Sequence, residues 1–479
     1  MPLGVLQYSA VLRKGGDILV LSRYIGDKAF YRRALGVAVP IIIQNFITNF
    51  VSMLDNIMVG QIGTMEMSGV SITNQLMMIF NLCIFGITSG AGIFTAQFYG
   101  SQDHAGVRHT FRFKYLGCTL ITVIGCGIFL GGGPALIRLF LQGEGDPAEA
   151  AKTLAFGVEY LNWMLWGLLP FAIANAYCST LRETGQTVVP MVAGIAAVFV
   201  NLVLNYVLIF GHFGAPAMGV RGAALATVIS RYAELAIVAV WTHRNSGQHP
   251  FICGAFRSLH IPKTLLFGIF RKGLPLLANE FLWSAGLTAM SQCYSTCGLE
   301  VVPALNIVTT LKNLAQVASM SLASSVGIIM GQMLGSGQSE KAVRDYNRKL
   351  IALAVAVGSV FSLLVIGISG VFPMLYNTTD AVRSLSTKLI IIMAVLIPVT
   401  AFTLSTYFTL RSGGLAMVTF FFDGMFLWMC PVPIGFILSR FTSITIVPLF
   451  AICQCVEVVR CFVGAYMLRK GKWIRNLTQ

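Results

Sequence analysis

Twelve long apolar stretches leave this chain few ways to fold. They fall at about residues 34–56, 69–96, 111–132, 154–178, 187–210, 220–242, 265–296, 301–332, 350–371, 386–409, 416–438 and 445–467. As a helix, each is long enough to cross roughly 30 Å of hydrocarbon. None alternates apolar with polar residues as a membrane barrel strand would. Inside lipid the backbone must satisfy its own hydrogen bonds, and that leaves helices. Only 11% of residues are charged, against about a quarter in soluble domains. The expected fold is an all-α polytopic membrane protein with twelve transmembrane helices.

The stretches form two sets. Moving 235 positions along the chain carries Pro40 to Pro275, Gly63 to Gly298 and Leu76 to Leu311. The same shift lays GIFTAQFYGS (Gly92 to Ser101) on GIIMGQMLGS (Gly327 to Ser336) and Lys114 on Lys349. At an offset of 229, TLRETG from Thr180 matches TLRSGG from Thr409, and Arg231 falls on Arg460. Two copies of one six-helix unit, fused head to tail, account for this. An even number of crossings per copy gives both lobes one orientation, a parallel repeat. The expected division is a cytoplasmic segment at 1–32, an N-lobe at 33–242, a cytoplasmic linker at 243–264, a C-lobe at 265–468 and a tail at 469–479. Pro40 and Pro275, as repeat equivalents, are candidate gating bends in the first and seventh spans.

A net charge of +15 raises the question of nucleic acid, and the positions of the charges answer it. With the N-terminus inside, 24 of the 33 Lys and Arg fall in or beside the inner segments. That asymmetry orients a membrane protein with both termini cytoplasmic. The basic balance is therefore a topology signal, and no nucleic-acid partner is expected. The first residues lack the pattern of a signal peptide and are expected along the inner membrane surface. Eleven cysteines show neither paired spacing nor a CxxC motif, and the histidines show no metal-ligand spacing. No phosphate loop or dinucleotide fingerprint occurs. The chain carries no catalytic cluster, so it is not expected to be an enzyme. No cofactor is expected beyond a coupling ion.

Ionisable groups inside spans are costly, by roughly 2.5–3.5 kcal/mol on insertion scales, and mark function more often than packing. Asp55 lies toward the outer end of the first span. One reading makes it an interfacial helix-end carboxylate, the other an ion site. The second gains from Asn201 and Asn205, whose i, i+4 spacing stacks two amides on one helix face, and from Thr227 in the sixth span. A carboxylate, two amide oxygens and a hydroxyl suit Na⁺, and the same carboxylate could instead carry a proton. That Na⁺ would be the only metal expected. Glu280, a few residues past Pro275, could attract a cationic substrate or take a proton. It could also be the structural partner of Lys312 in the eighth span. Arg231 with Glu234 and Glu457 with Arg460 are i, i+3 pairs of a structural kind.

These residues carry a resemblance. LDNIMVGQIG (Leu54 to Gly63), TAQFYGS, STLRETGQTVVP (Ser179 to Pro190), GLPLLANE (Gly273 to Glu280), MGQMLGSGQSEKA (Met330 to Ala342) and LRSGG (Leu410 to Gly414) occur in an order and duplication that resemble the multidrug and toxic compound extrusion (MATE) transporters. The resemblance spans about residues 30 to 470. It implies two facing lobes that exchange a drug for Na⁺ or H⁺ by rocking between two states. It implies ion-coupling roles for Asp55, Asn201 and Asn205, and a substrate or proton role for Glu280. Some members carry an aspartate where this chain has Asn205. An acidic residue of one branch would fall near Thr400, so coupling is expected in the first lobe. The implied protein is a monomer in the bacterial inner membrane, moving small molecules such as cationic amphiphiles. The alternative is a lipid-linked saccharide flippase of related fold, which would want several basic residues in the first-lobe spans. Away from the span ends, only Arg231 qualifies.

Overall fold

The computed structural model describes residues 23–141 and 146–478. The expectation of a surface-lying N-terminal segment falls largely on residues 1–22, outside the described residues. The chain is all-helical, with no strand among the described residues. The first lobe comprises α1 (Lys28–Gly60), α2 (Thr64–Gly100), α3 (His104–Phe140), α4 (Pro147–Glu183), α5 (Val188–Phe210) and α6 (Val220–Arg244). The second comprises α7 (Lys263–Ser295), α8 (Val301–Gly335), α9 (Glu340–Ile368), the pair α10 (Asp380–Val395) and α11 (Ile397–Ser412), α12 (Ala416–Phe441) and α13 (Ile446–Lys470).

Local chemistry starts several of these helices. Asp27 accepts from Phe30 N at 2.8 Å and Asp103 from Gly106 N at 2.9 Å, each satisfying an amide left free by the first turn. Asp146 caps α4 ahead of a proline at its first position. Among the described residues ten helices are long and apolar enough to span a membrane, and α10 with α11 makes an eleventh, bent by 46°. The bend falls just before Pro398, which has no N–H to continue the ladder. The twelfth crossing is α7, which carries Arg271, Lys272 and Glu280 within its 33 residues. Pro40 and Pro275 lie inside unbroken helices. A change of direction at a helix break occurs at α10 and α11.

The lobes meet at the face where the basic residues gather. There α2 is buried on all sides from Thr88 to Gln97, and α8 from Ile329 to Gly335. Their opposite halves bury only a stripe, the signature of helices lining a cleft on one side. The seam follows the repeat. On α1, Phe30, Ala34, Val37 and Ile41 pack into the second lobe with residues of α8, α9 and α11. On α7, Ile269 packs in turn with Ala91 and Phe94 of α2 and Phe113 of α3. Gly100 lies so close to Gln332 that a Cβ would strike its carbonyl, and Gly335 stands in the same relation to Gln97. Gln97 Nε2 donates across the seam to the Ser412 carbonyl, and Gln332 Nε2 to the Glu183 carbonyl, both at 2.8 Å. Each pair is the repeat image of the other.

Candidate cation and substrate sites

Asp55 faces the lobe interior. Asn205 Nδ2 donates to its Oδ1 at 2.7 Å. Asn201 sits one turn earlier on the same face of α5. Oriented with its amide oxygen toward Thr227, it donates to Asp55 Oδ2 at 2.8 Å and Oδ1 at 3.0 Å and accepts from Thr227 Oγ1 at 3.2 Å. That orientation is fixed by its neighbours, because the reverse would turn an oxygen on a carboxylate. All four residues named from the sequence are thus in one cluster, drawn from α1, α5 and α6.

The cluster opens on a cavity of about 300 Å³ lined by Asp55, Asn205, Thr227, Tyr160, Phe171 and Arg231, with Asn56, Asn74 and Asn81 adding amides. Asn205 is 2% exposed and its Oδ1 has no donor. A buried acceptor without a partner is unfavourable unless something positive meets it. With the carboxylate, it offers the oxygen chemistry of a small hard cation. Among the described residues no group of three or more His, Cys, Asp and Glu could hold a metal ion. The cluster carries one carboxylate, Asp55, and so balances a single positive charge.

Tyr160 and Arg231 are among the liners of this cavity to which sequence reasoning gave no site role. Tyr160 of α4 is buried beside Asp55 and Thr227, but an aromatic residue in a span looks the same whether it faces lipid or a cavity. Arg231 was read as half of a helix pair and as a lone base within the first-lobe spans. Its guanidinium stacks 4.4 Å from the Phe171 ring, and its contact with Glu234 is a long 3.8 Å. Glu159 pairs with Arg221 at the rim, an interfacial contact.

In the second lobe one of the alternatives for Glu280, pairing with Lys312, is not realised. Glu280 on α7 has Asp423 and Arg411 as its charged neighbours, whereas Lys312 on α8 looks toward Glu457 of α13. The two helices present these side chains to different neighbours, a rotation that sequence spacing does not encode. The buried ion pair of this lobe is Arg460 with Asp423, at 3.0 Å, and Glu457 adds a contact at 3.3 Å. Asn279, beside Glu280, joins them. Its Nδ2 donates to Asp423 Oδ2 at 2.9 Å and its Oδ1 accepts from Gly424 N at 2.7 Å. The latter bond takes up an amide within the wide turn Phe421–Met425, a π-helical insertion in α12.

A family profile for MatE matches residues 40–207 and 275–437. The chain belongs to the MatE family. The two matched segments begin at Pro40 and Pro275, the positions that the duplication equates. Similar proteins include a probable multidrug resistance protein NorM of Thermotoga maritima, 23% identical over 92% of this chain and 93% of that one. Another is the probable multidrug resistance protein YoeA of Bacillus subtilis, 26% identical over 85% of this chain and 87% of that one. Among solved structures, an outward-facing multidrug resistance MATE family transporter superposes with a TM-score of 0.80 at 17% identity, covering 94% of this chain and 98% of its own. A transporter of Pyrococcus furiosus gives the same TM-score, identity and coverage, and its reported pocket of reverse polarity suggests a different function. The MatE fold, twelve transmembrane helices in two lobes, is therefore shared. What passes through it depends on the polar groups in the cleft. Membership places the chain in a family of transporters.

Proposed function

We propose that this chain is a cation-coupled antiporter of a bacterial inner membrane, exporting small organic molecules in exchange for Na⁺ or H⁺. Its termini and basic face lie in the cytoplasm, and it works as a monomer. The observation that carries this reading is the Asp55 cluster: one carboxylate, gripped by Asn205 and Asn201, beside a buried amide oxygen that lacks a donor. Lobes that meet at the basic face and line a cleft opposite it correspond to an outward-facing state. Transport follows when ion and substrate each bind this state and its inward-facing counterpart with different affinity. A cation at Asp55 draws the carboxylate and both amides onto itself, which couples occupancy to the packing of α1, α5 and α6. On the second lobe, Glu280 is half-buried and offers a negative group to cationic amphiphiles. A saccharide flippase is the weaker reading, because Asp55 shares its cavity with a single arginine.

Proteoliposomes loaded with a fluorescent organic cation test this directly, with Na⁺ and pH gradients imposed one at a time. The wild type should export under one gradient, and Asp55→Asn should lose that response while inserting normally. Full gradient-driven efflux by Asp55→Asn overturns the assignment.

A further inference from the structure

The seam at the basic face holds a third component besides the two lobes. After α13 the chain turns at Gly471, whose φ of +72° is a left-handed value suited to glycine. It then runs back across the protein. Trp473 is only 1% exposed, and its carbonyl lies flush on Gly413, where a Cβ would collide with it. Farther on, the tail reaches the first lobe. Leu477 N donates to Gln97 Oε1 at 2.6 Å, and Gln97 Nε2 reaches the Arg475 carbonyl at 3.2 Å. The Leu477 side chain packs against two apolar clusters that hold Ile93 and Phe94 of α2 with Ile269 and Leu276 of α7 and Ala416 of α12. It therefore touches ground that both lobes contribute.

The repeat shows why this matters. Gln332, the image of Gln97, fills its oxygen with Arg33 Nη2 of α1 at 3.1 Å. On that side a helix supplies the partner. On the Gln97 side the C-terminal tail does.

We propose that the segment Trp473–Thr478 is an internal ligand of the lobe seam, anchored on the second lobe by Trp473 and bolting the first through Gln97 and Leu477. The groove that receives Leu477 exists only while α2 and α7 are together. The tail therefore binds the basic-face-closed state and not the open one, and by that difference it shifts the population toward closure. The use of such a bolt rests on the alternating-access reading above, but its existence does not. Closure is read without any transport measurement, so failure of ion coupling at Asp55 leaves this inference standing, and the reverse.

Hydrogen–deuterium exchange on the full chain in lipid nanodiscs tests it, comparing wild type, Leu477→Asp and a chain ending at Gly471. Both variants should exchange about tenfold faster at residues 97–103 and 332–338, with the lobe interiors unchanged. A synthetic peptide of residues 472–479 should restore protection to the truncated chain, and the same peptide with the leucine replaced by aspartate should not. If truncation prevents folding, Leu477→Asp alone decides. Wild-type protection in Leu477→Asp overturns the proposal. So does faster exchange spread evenly through both lobes, or protection that the peptide fails to restore.

Discussion

Asn205 Nδ2 stands 2.7 Å from Asp55 Oδ1, a donor from α5 fixed on the carboxylate of α1. The same side chain holds its own oxygen buried with no donor, so one residue both restrains the acid and offers a ligand atom. Replacing it removes both. Asn205→Leu should weaken the response of efflux to the driving gradient by about tenfold or more, the scale of one hydrogen bond to a charged group. Ion-dependent efflux in proteoliposomes measures this, and Asn56→Leu on the cavity wall should have the smaller effect.

The seam makes a steric prediction. A Cβ on Gly100 or Gly335 collides with main chain of the opposite lobe, which cannot swing aside as a side-chain end would. Gly100→Leu and Gly335→Leu should each hold the basic face open. Labelling of a cysteine introduced at Ser101 or Ser336 should then become faster. Gly127→Leu, where a Cβ meets nothing within 4 Å, should behave as wild type.

In the second lobe the Asp423–Arg460 pair is largely buried, with 12% and 7% of the side chains exposed. Removing Asp423 leaves Arg460 with Glu457 alone, at 3.3 Å. Asp423→Ala should lower stability by a few kcal/mol, on the order of the 3–5 kcal/mol typical of a broken buried pair. The double variant Asp423→Ala with Arg460→Met should recover part of that loss. Thermal unfolding in detergent measures both, and additive losses would assign the pair no mutual stabilisation.

The linker between the lobes carries a pH dependence. His249 is buried beside Trp241, ring centroids 5.2 Å apart, and its Nε2 has no partner. Burial pushes its pKa below the ordinary histidine value. A base held neutral in the fold contributes fully above its unfolded pKa, about 6.5. That contribution is lost as pH falls below this value toward the folded pKa, because the unfolded segment takes the proton first. Protection factors at residues 245–262, which divide out the slower intrinsic exchange at low pH, should therefore fall between pH 7.5 and pH 5.5. His249→Phe should flatten the change.

How much of this was legible beforehand depended on the range of each interaction. The spans, the duplication and the Asn201–Asn205 face are matters of local spacing, and the residue types sufficed to add Asp55 and Thr227. Partnerships between helices were not legible in the same way. Lys312 faces Glu457 rather than Glu280 because of how α7 and α8 are rotated, and no periodicity fixes that angle. Asp423 gave no local signal, since its partners Arg460 and Asn279 lie on two other helices. Gln97 and Gln332 were visible as a matched pair, but their purpose required the opposing lobe.

The amide nitrogens of those two glutamines grip carbonyls of the opposite lobe, not side chains. Every residue has a carbonyl, so the hold is indifferent to what stands at position 183 or 412. Here one is a glutamate engaged with a buried lysine and the other a serine, yet both are held at the same length. Descendants of a duplicated gene can in this way drift apart in chemistry while the hinge line between their halves still shuts. The freedom to change cargo and the ability to close are kept in different atoms.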